Sequence, residues 1–113
     1  GVKMTTWVKQ DGWSAAANGS SLQGYITTTH ADLVAAFGSP TFEGDMDKVT
    51  CEWVLVFDDG TVATIYDWKQ YEMGTPYGRY DWHIGGHDAI AVAKVGEVLG
   101  VQGHSRPRLV RFG

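Results

Sequence analysis

The chain has 113 residues, with 9 basic against 13 acidic side chains, a net charge of −4, and 43% hydrophobic residues. Those figures describe one globular domain and exclude a disordered acidic linker. The acidic balance disfavours nucleic acid, whose phosphates need a basic surface, and a single cysteine, Cys51, excludes a disulfide framework or a multi-cysteine zinc site.

No apolar run approaches the roughly 18 residues of a membrane helix. No basic start followed by an apolar core suggests a secretory leader, so the expected setting is cytoplasmic and reducing. The 15 glycines imply many tight turns. The 5 Trp and 5 Tyr imply a core of a few bulky side chains, or else an aromatic binding surface.

In chain order, Met4 to Gln10 reads as a strand closed by Asp11-Gly12. An Ala-rich run, Trp13 to Asn18, ends in the turn cluster Asn18-Gly19-Ser20-Ser21. Leu22 to Thr28 is a second strand. Thr29 then caps a short helix, with Asp32 three residues on, Leu33, Val34, Ala36 and Phe37 on its apolar face, and Gly38 and Pro40 to end it. Thr41 to Lys48 is a polar loop.

Cys51, Trp53, Leu55 and Phe57 alternate along one side of a strand, and Thr61 to Lys69 returns beside it. Asp58-Asp59-Gly60-Thr61 suits a two-residue hairpin. That register pairs Phe57 with Val62 and Trp53 with Tyr66, placing Val62, Thr64, Tyr66 and Trp68 on the core side. The other face would then carry Glu52, Val54, Val56, Ala63, Ile65 and Asp67, either as a partner surface or beneath the N-terminal strands.

After a loop from Gln70 to Gly78, Tyr80 to Ile84 is a third meander strand. Asp88 caps a second helix, Ala89 to Leu99, which Gly100 ends. The tail from Gly103 to Gly113, with Arg106, Arg108 and Arg111, is expected to fray unless it docks.

The expected fold is thus α+β, ordered β-β-α-β-β-β-α, an antiparallel sheet with two helices on one face. It forms a single domain over 1–113 with its core in 24–99. Oligomeric state is not readable from this pattern.

The densest polar and aromatic cluster is Tyr80 to Asp88. If Gly85-Gly86 join a strand to a helix, free amides there could attract a phosphate or nucleotide, although the spacing is not a dinucleotide fingerprint. His83 and His87 with Asp81 and Asp88 are poorly spaced for a metal, because Gly-Gly separates the histidines. An acid–base pair of His83 or His87 with Asp81, Asp67 or Glu52 has no nucleophile to serve, and Cys51 lies in a buried alternation. No catalytic residue, metal or cofactor is expected.

Three stretches form one ordered string: Thr29-x-x-x-Leu33-x-x-x-Phe37-Gly38-x-Pro40; Glu52-Trp53-Val54-x-x-Phe57-x-Asp59-Gly60-x-Val62-Ala63-Thr64-Ile65-Tyr66-x-Trp68-Lys69; and Tyr80-x-Trp82-His83-x-Gly85-Gly86. The string spans Gly24 to Leu99 and resembles small proteins of unassigned function encoded by tailed bacteriophages. The resemblance carries no catalytic residues.

What the resemblance implies is a context: a small non-enzymatic binding module that engages or inhibits a host macromolecule, a host protein first, in the host cytoplasm. The alternative is a small-ligand or nucleotide binder at a strand–Gly-Gly–helix turn over 82–88. Its candidate residues are Trp68, Trp82, His83, Gly85, Gly86 and His87.

Overall fold

The computed structural model describes residues 5–46, 48–70 and 73–105. Its strands are β1 (Trp7–Lys9), β2 (Ser21–Thr28), β3 (Phe42–Met46), β4 (Val49–Phe57), β5 (Val62–Tyr66), β6 (Tyr80–Gly86) and β7 (His104–Ser105). Two helices, α1 (His30–Phe37) and α2 (Ile90–Leu99), and a 3-10 turn at Ala15–Ala17 complete the described elements. The fold is α+β, as the sequence pattern implies. The strands pair antiparallel in the order β1–β4–β5–β6–β2–β7, and β3 also pairs with β4.

Both helices pack on one face of the sheet. Leu33 and Phe37 of α1 and Ala91, Val92 and Val95 of α2 join Ile26, Trp53, Leu55, Ile65, Trp82 and Ile84 in one core. Trp53 and Trp82 meet edge to face at 5.6 Å, a geometry that aligns the positive ring edge with the negative face. Trp53 Nε1 also donates to the Gly38 carbonyl at 2.9 Å, which fastens the end of α1 to the sheet. Helix α1 starts as its sequence implies, with the Asp32 N–H donating to Thr29 Oγ1 at 3.1 Å. At α2 the Asp88 carboxylate accepts from the Ile90 N–H at 3.0 Å.

The β4–β5 hairpin differs from its expected register. The Gly60 N–H donates to the Phe57 carbonyl, the Phe57 N–H donates to the Thr61 carbonyl, and Gly60 adopts φ +89°. The loop therefore has three residues, with glycine supplying the left-handed position of a bulge. Trp53 pairs with Ile65, Glu52 with Tyr66 and Val56 with Val62. One extra loop residue moves every side chain of β5 to the opposite face. Ala63 and Ile65 are the core-side residues, and Val62, Thr64 and Tyr66 share the outer face with Glu52, Val54 and Val56.

Three further differences are non-local. Gly85-Gly86 lies inside β6, with Gly85 paired to both Leu22 and Thr64 and Gly86 to both Ser21 and Ala63; it is not a strand–helix turn. Part of the expected polar loop becomes β3, because pairing with β4 supplies its backbone partners. Thr41 stitches the point where β1 and β3 meet along β4: its hydroxyl accepts from the Val54 N–H and donates to the Gln10 carbonyl, both at 2.9 Å. The expected fraying tail begins as a docked segment, since β7 pairs with β2; its continuation, 106–113, lies outside the described residues, as do residues 1–4.

A candidate binding cleft on the outer face of the sheet

The sheet face away from the helices is covered over only part of its area. Ala17, on the 3-10 turn, is fully buried against Val54 and Val62, with Phe42 and Val56 beside them. Ser14 opens that turn by accepting from the Ala16 N–H at 3.2 Å. Beyond it the face stays open, and a cleft of about 230 Å³ lies between Trp13, Glu52, Thr64, Tyr66, Trp68 and Gly85. Trp13 forms one wall, its indole Nε1 held by Asn18 Oδ1 at 2.6 Å.

Alternation along β4, β5 and β6 sets the rest of this surface. Glu52 and Tyr66 are cross-strand partners, and Tyr66 is in turn paired with His83. The Tyr66 and His83 rings lie 5.4 Å apart, Trp68 stands 6.2 Å from His83, and Tyr25 meets His83 edge-on at 4.9 Å. This aromatic row runs from β2 to the end of β5. Trp68 is held there by Tyr80, whose hydroxyl accepts from the Trp68 N–H at 3.1 Å. The amino group of Lys48 lies 5.6 Å from the Trp68 ring centroid, within cation–π range.

Gly85 makes the floor. A Cβ there would stand 2.4 Å from Thr64 Oγ1 and 3.4 Å from the Tyr66 ring, so only a missing side chain leaves room between them. Glu52 is the acid of the cleft. Burial, reinforced by the nearby Asp67 charge, pushes its carboxyl up to about 7. Burial also raises the Tyr66 phenol, with Glu52 and Tyr25 adding to the effect. The His83 imidazole is held below its ordinary value by burial, against the opposing pull of Asp67 and Asp81.

The six residues singled out from the sequence do not form one site. Trp68, His83 and Gly85 come together on the outer face. Trp82 is fully buried in the core on the opposite face. A Cβ on Gly86 would meet the Ala91 Cβ and the Val62 carbonyl, each at 2.8 Å, so Gly86 serves as a packing position beneath α2. His87 is exposed and sits 2.7 Å from the Ala16 carbonyl through Nε2. Tyr66, Thr64 and Trp13 also belong to the cleft without being sequence candidates, and Glu52, which the sequence offers only as a histidine partner, lines it as well. The outward placement of Thr64 and Tyr66 follows from the three-residue Asp58-Asp59-Gly60 loop, which sets the β4–β5 register.

The remaining chemistry of the region is structural. Asp67, one of the sequence candidates for a histidine partner, is fully buried on the core side. Its carboxylate accepts from the Thr50 N–H at 2.7 Å, the Cys51 N–H at 3.2 Å and the Thr50 hydroxyl. Among the described residues His83 Nδ1 is buried without a hydrogen-bond partner, and no carboxylate there accepts from it. The Cys51 thiol is pushed up to about 12 by burial and the Asp67 charge, which leaves no thiolate near neutral pH. Among the described residues no three His, Cys, Asp or Glu side chains are grouped to hold a metal, and no helix is long and apolar enough to cross a membrane.

The outer-face cleft is therefore an aromatic depression on the sheet, with Glu52 as the one acid in its lining. The chain matches no family model, no curated protein and no solved structure.

Proposed function

We propose that this protein is a non-enzymatic binding module that presents the open part of its outer sheet face to a protein partner. The observation carrying this reading is the row Tyr25, His83, Tyr66 and Trp68 beside an unfilled cleft, on a face that is covered elsewhere by the chain's own Ala17. Aromatic side chains on a rigid scaffold are the residues that dominate protein–protein contacts, because they bury large area at small entropic cost. Two groups that an acid–base or nucleophilic site would use are not set up for it among the described residues: His83 Nδ1 has no hydrogen-bond partner and the nearby Cys51 thiol is protonated. Following the resemblance of the ordered string to phage proteins, the partner is a host macromolecule and the setting the host cytoplasm.

The test is affinity capture on the full chain, followed by calorimetry with the purified partner. Trp68→Ala and Tyr66→Ala should each weaken binding by about thirtyfold, the effect of losing an aromatic anchor of ~2 kcal/mol. Val34→Ala, exposed on α1 beyond the other face of the sheet, should leave it unchanged. Wild-type affinity in both aromatic variants would refute the reading.

A further inference from the structure

The cleft carries a sharper statement about what enters it. Resting on the sheet-face reading above, we infer that the space over Glu52 accepts the guanidinium of an arginine side chain projecting from the partner.

Charge argues for a cation. Glu52 lines the cleft and forms no ion pair within it; among the described residues the ion pair formed is Lys94 with Asp59, at the tip of the β4–β5 hairpin. A half-buried carboxylate without a counter-charge gains most from a cation that arrives already partly dehydrated. The Glu52 carboxyl, raised by burial, is a group in that condition. Lys48 is the nearby internal cation, and it lies over Trp68 without pairing with Glu52. The walls agree, since Trp13, Tyr66 and Trp68 present ring surfaces that attract positive charge.

Size and shape narrow the cation. The cleft of about 230 Å³ falls below the ~300–1,000 Å³ of sites for whole drug-sized ligands, so one side chain suits it better than a nucleotide. A planar guanidinium can lie against the Tyr66 and Trp68 rings while two of its N–H groups donate to the two Glu52 oxygens. An ammonium offers a more strongly hydrated point charge and no flat face.

The experiment titrates N-acetyl-arginine amide into the ¹⁵N-labelled full chain, with N-acetyl-citrulline amide as the neutral isostere and N-acetyl-lysine amide as the other cation. Saturable shifts are expected at Glu52, Tyr66, Trp68 and Gly85 for arginine, with about tenfold weaker binding for citrulline and weaker binding for lysine. Glu52→Gln, shown to be folded by its unfolding transition, should reduce arginine to the citrulline level, and Val34→Ala, on α1 away from the cleft, should not weaken it. Citrulline or lysine binding as well as arginine would overturn the inference. So would undiminished binding by Glu52→Gln, or no saturable shift at the solubility limit of the probe. A nucleoside monophosphate that saturates the same residues more tightly than arginine would also overturn it. If Trp68→Ala abolishes partner binding while Glu52→Gln leaves it intact, the arginine assignment fails and the sheet-face reading stands.

Discussion

Gly85 lies directly across the β5–β6 ladder from Thr64, and a Cβ at position 85 would stand 2.4 Å from Thr64 Oγ1. The cleft therefore exists because a strand interior, where glycine is normally a cost, holds a residue with no side chain. Gly85→Ala should place a methyl group in the floor and displace the Thr64 hydroxyl or the Tyr66 ring. The expected result is a loss of about 1–3 kcal/mol of stability, the usual range for overpacking, read from the urea midpoint. Ligand-induced shifts in the cleft should shrink in the same variant.

The two buried tryptophans should behave differently on losing their indole nitrogen. Trp53 Nε1 donates to the Gly38 carbonyl at 2.9 Å, whereas Trp82 Nε1 is buried without a partner among the described residues. Trp53→Phe removes a hydrogen bond and leaves a carbonyl at the end of α1 short of a donor. Trp82→Phe removes a polar group already unsatisfied. Trp53→Phe should thus cost more than Trp82→Phe by roughly 1 kcal/mol, measured by denaturant unfolding with the smaller ring common to both.

Glu52 gives the fold a defined pH dependence. Its carboxyl is raised from an ordinary value of 4.5 to about 7, so the native state holds a proton in that window which the unfolded chain has released. Stability should therefore fall as pH rises from about 4.5 to about 7. The groups around it are Tyr66 and Asp67 at the end of β5, His83 on β6 and Lys48 near Trp68. These are shared by wild type and Glu52→Gln, so the difference between the two isolates Glu52. The variant should be more stable above pH 7 by about 1–3 kcal/mol, each pKa unit being worth ~1.4 kcal/mol less solvent screening. The two curves should converge near pH 4.5, and parallel curves across the range would contradict the assignment.

Asp67 is a buried acid with a structural task. It satisfies two backbone amides and a hydroxyl at the start of β4, and the same Thr50 hydroxyl lies 2.8 Å from that of Thr75 in the following loop. Asp67→Ala should cost about 2–4 kcal/mol by leaving the amides of Thr50 and Cys51 without acceptors. It should also expose Cys51, whose thiol is held inert in the fold. Alkylation of Cys51 at mildly alkaline pH, followed by mass spectrometry, should be slow in the wild type and faster in the variant. Equal rates would show that Asp67 does not secure this corner.

Much of this architecture is written in local pattern. The Thr29 cap, the Gly38-Pro40 stop and the Trp53-Leu55-Phe57 alternation each act over a few residues, and each appears as the sequence implies. Other decisions belong to tertiary structure alone. The Asp58-Asp59-Gly60 turn is compatible with a two- or a three-residue loop, and only pairing against a filled core selects the second. Because side chains in a strand alternate with period two, that single residue decides that Tyr66 looks outward while Ile65 is buried. Gly85-Gly86 has the local signature of a turn, yet β2 and β5 flank it on both sides and make it strand. The sequence by itself determined an aromatic-rich α+β sheet with helices on one side. Long-range strand pairing determined which aromatics became core, as Trp53 and Trp82 did, and which were left on the open face, as Trp68 was.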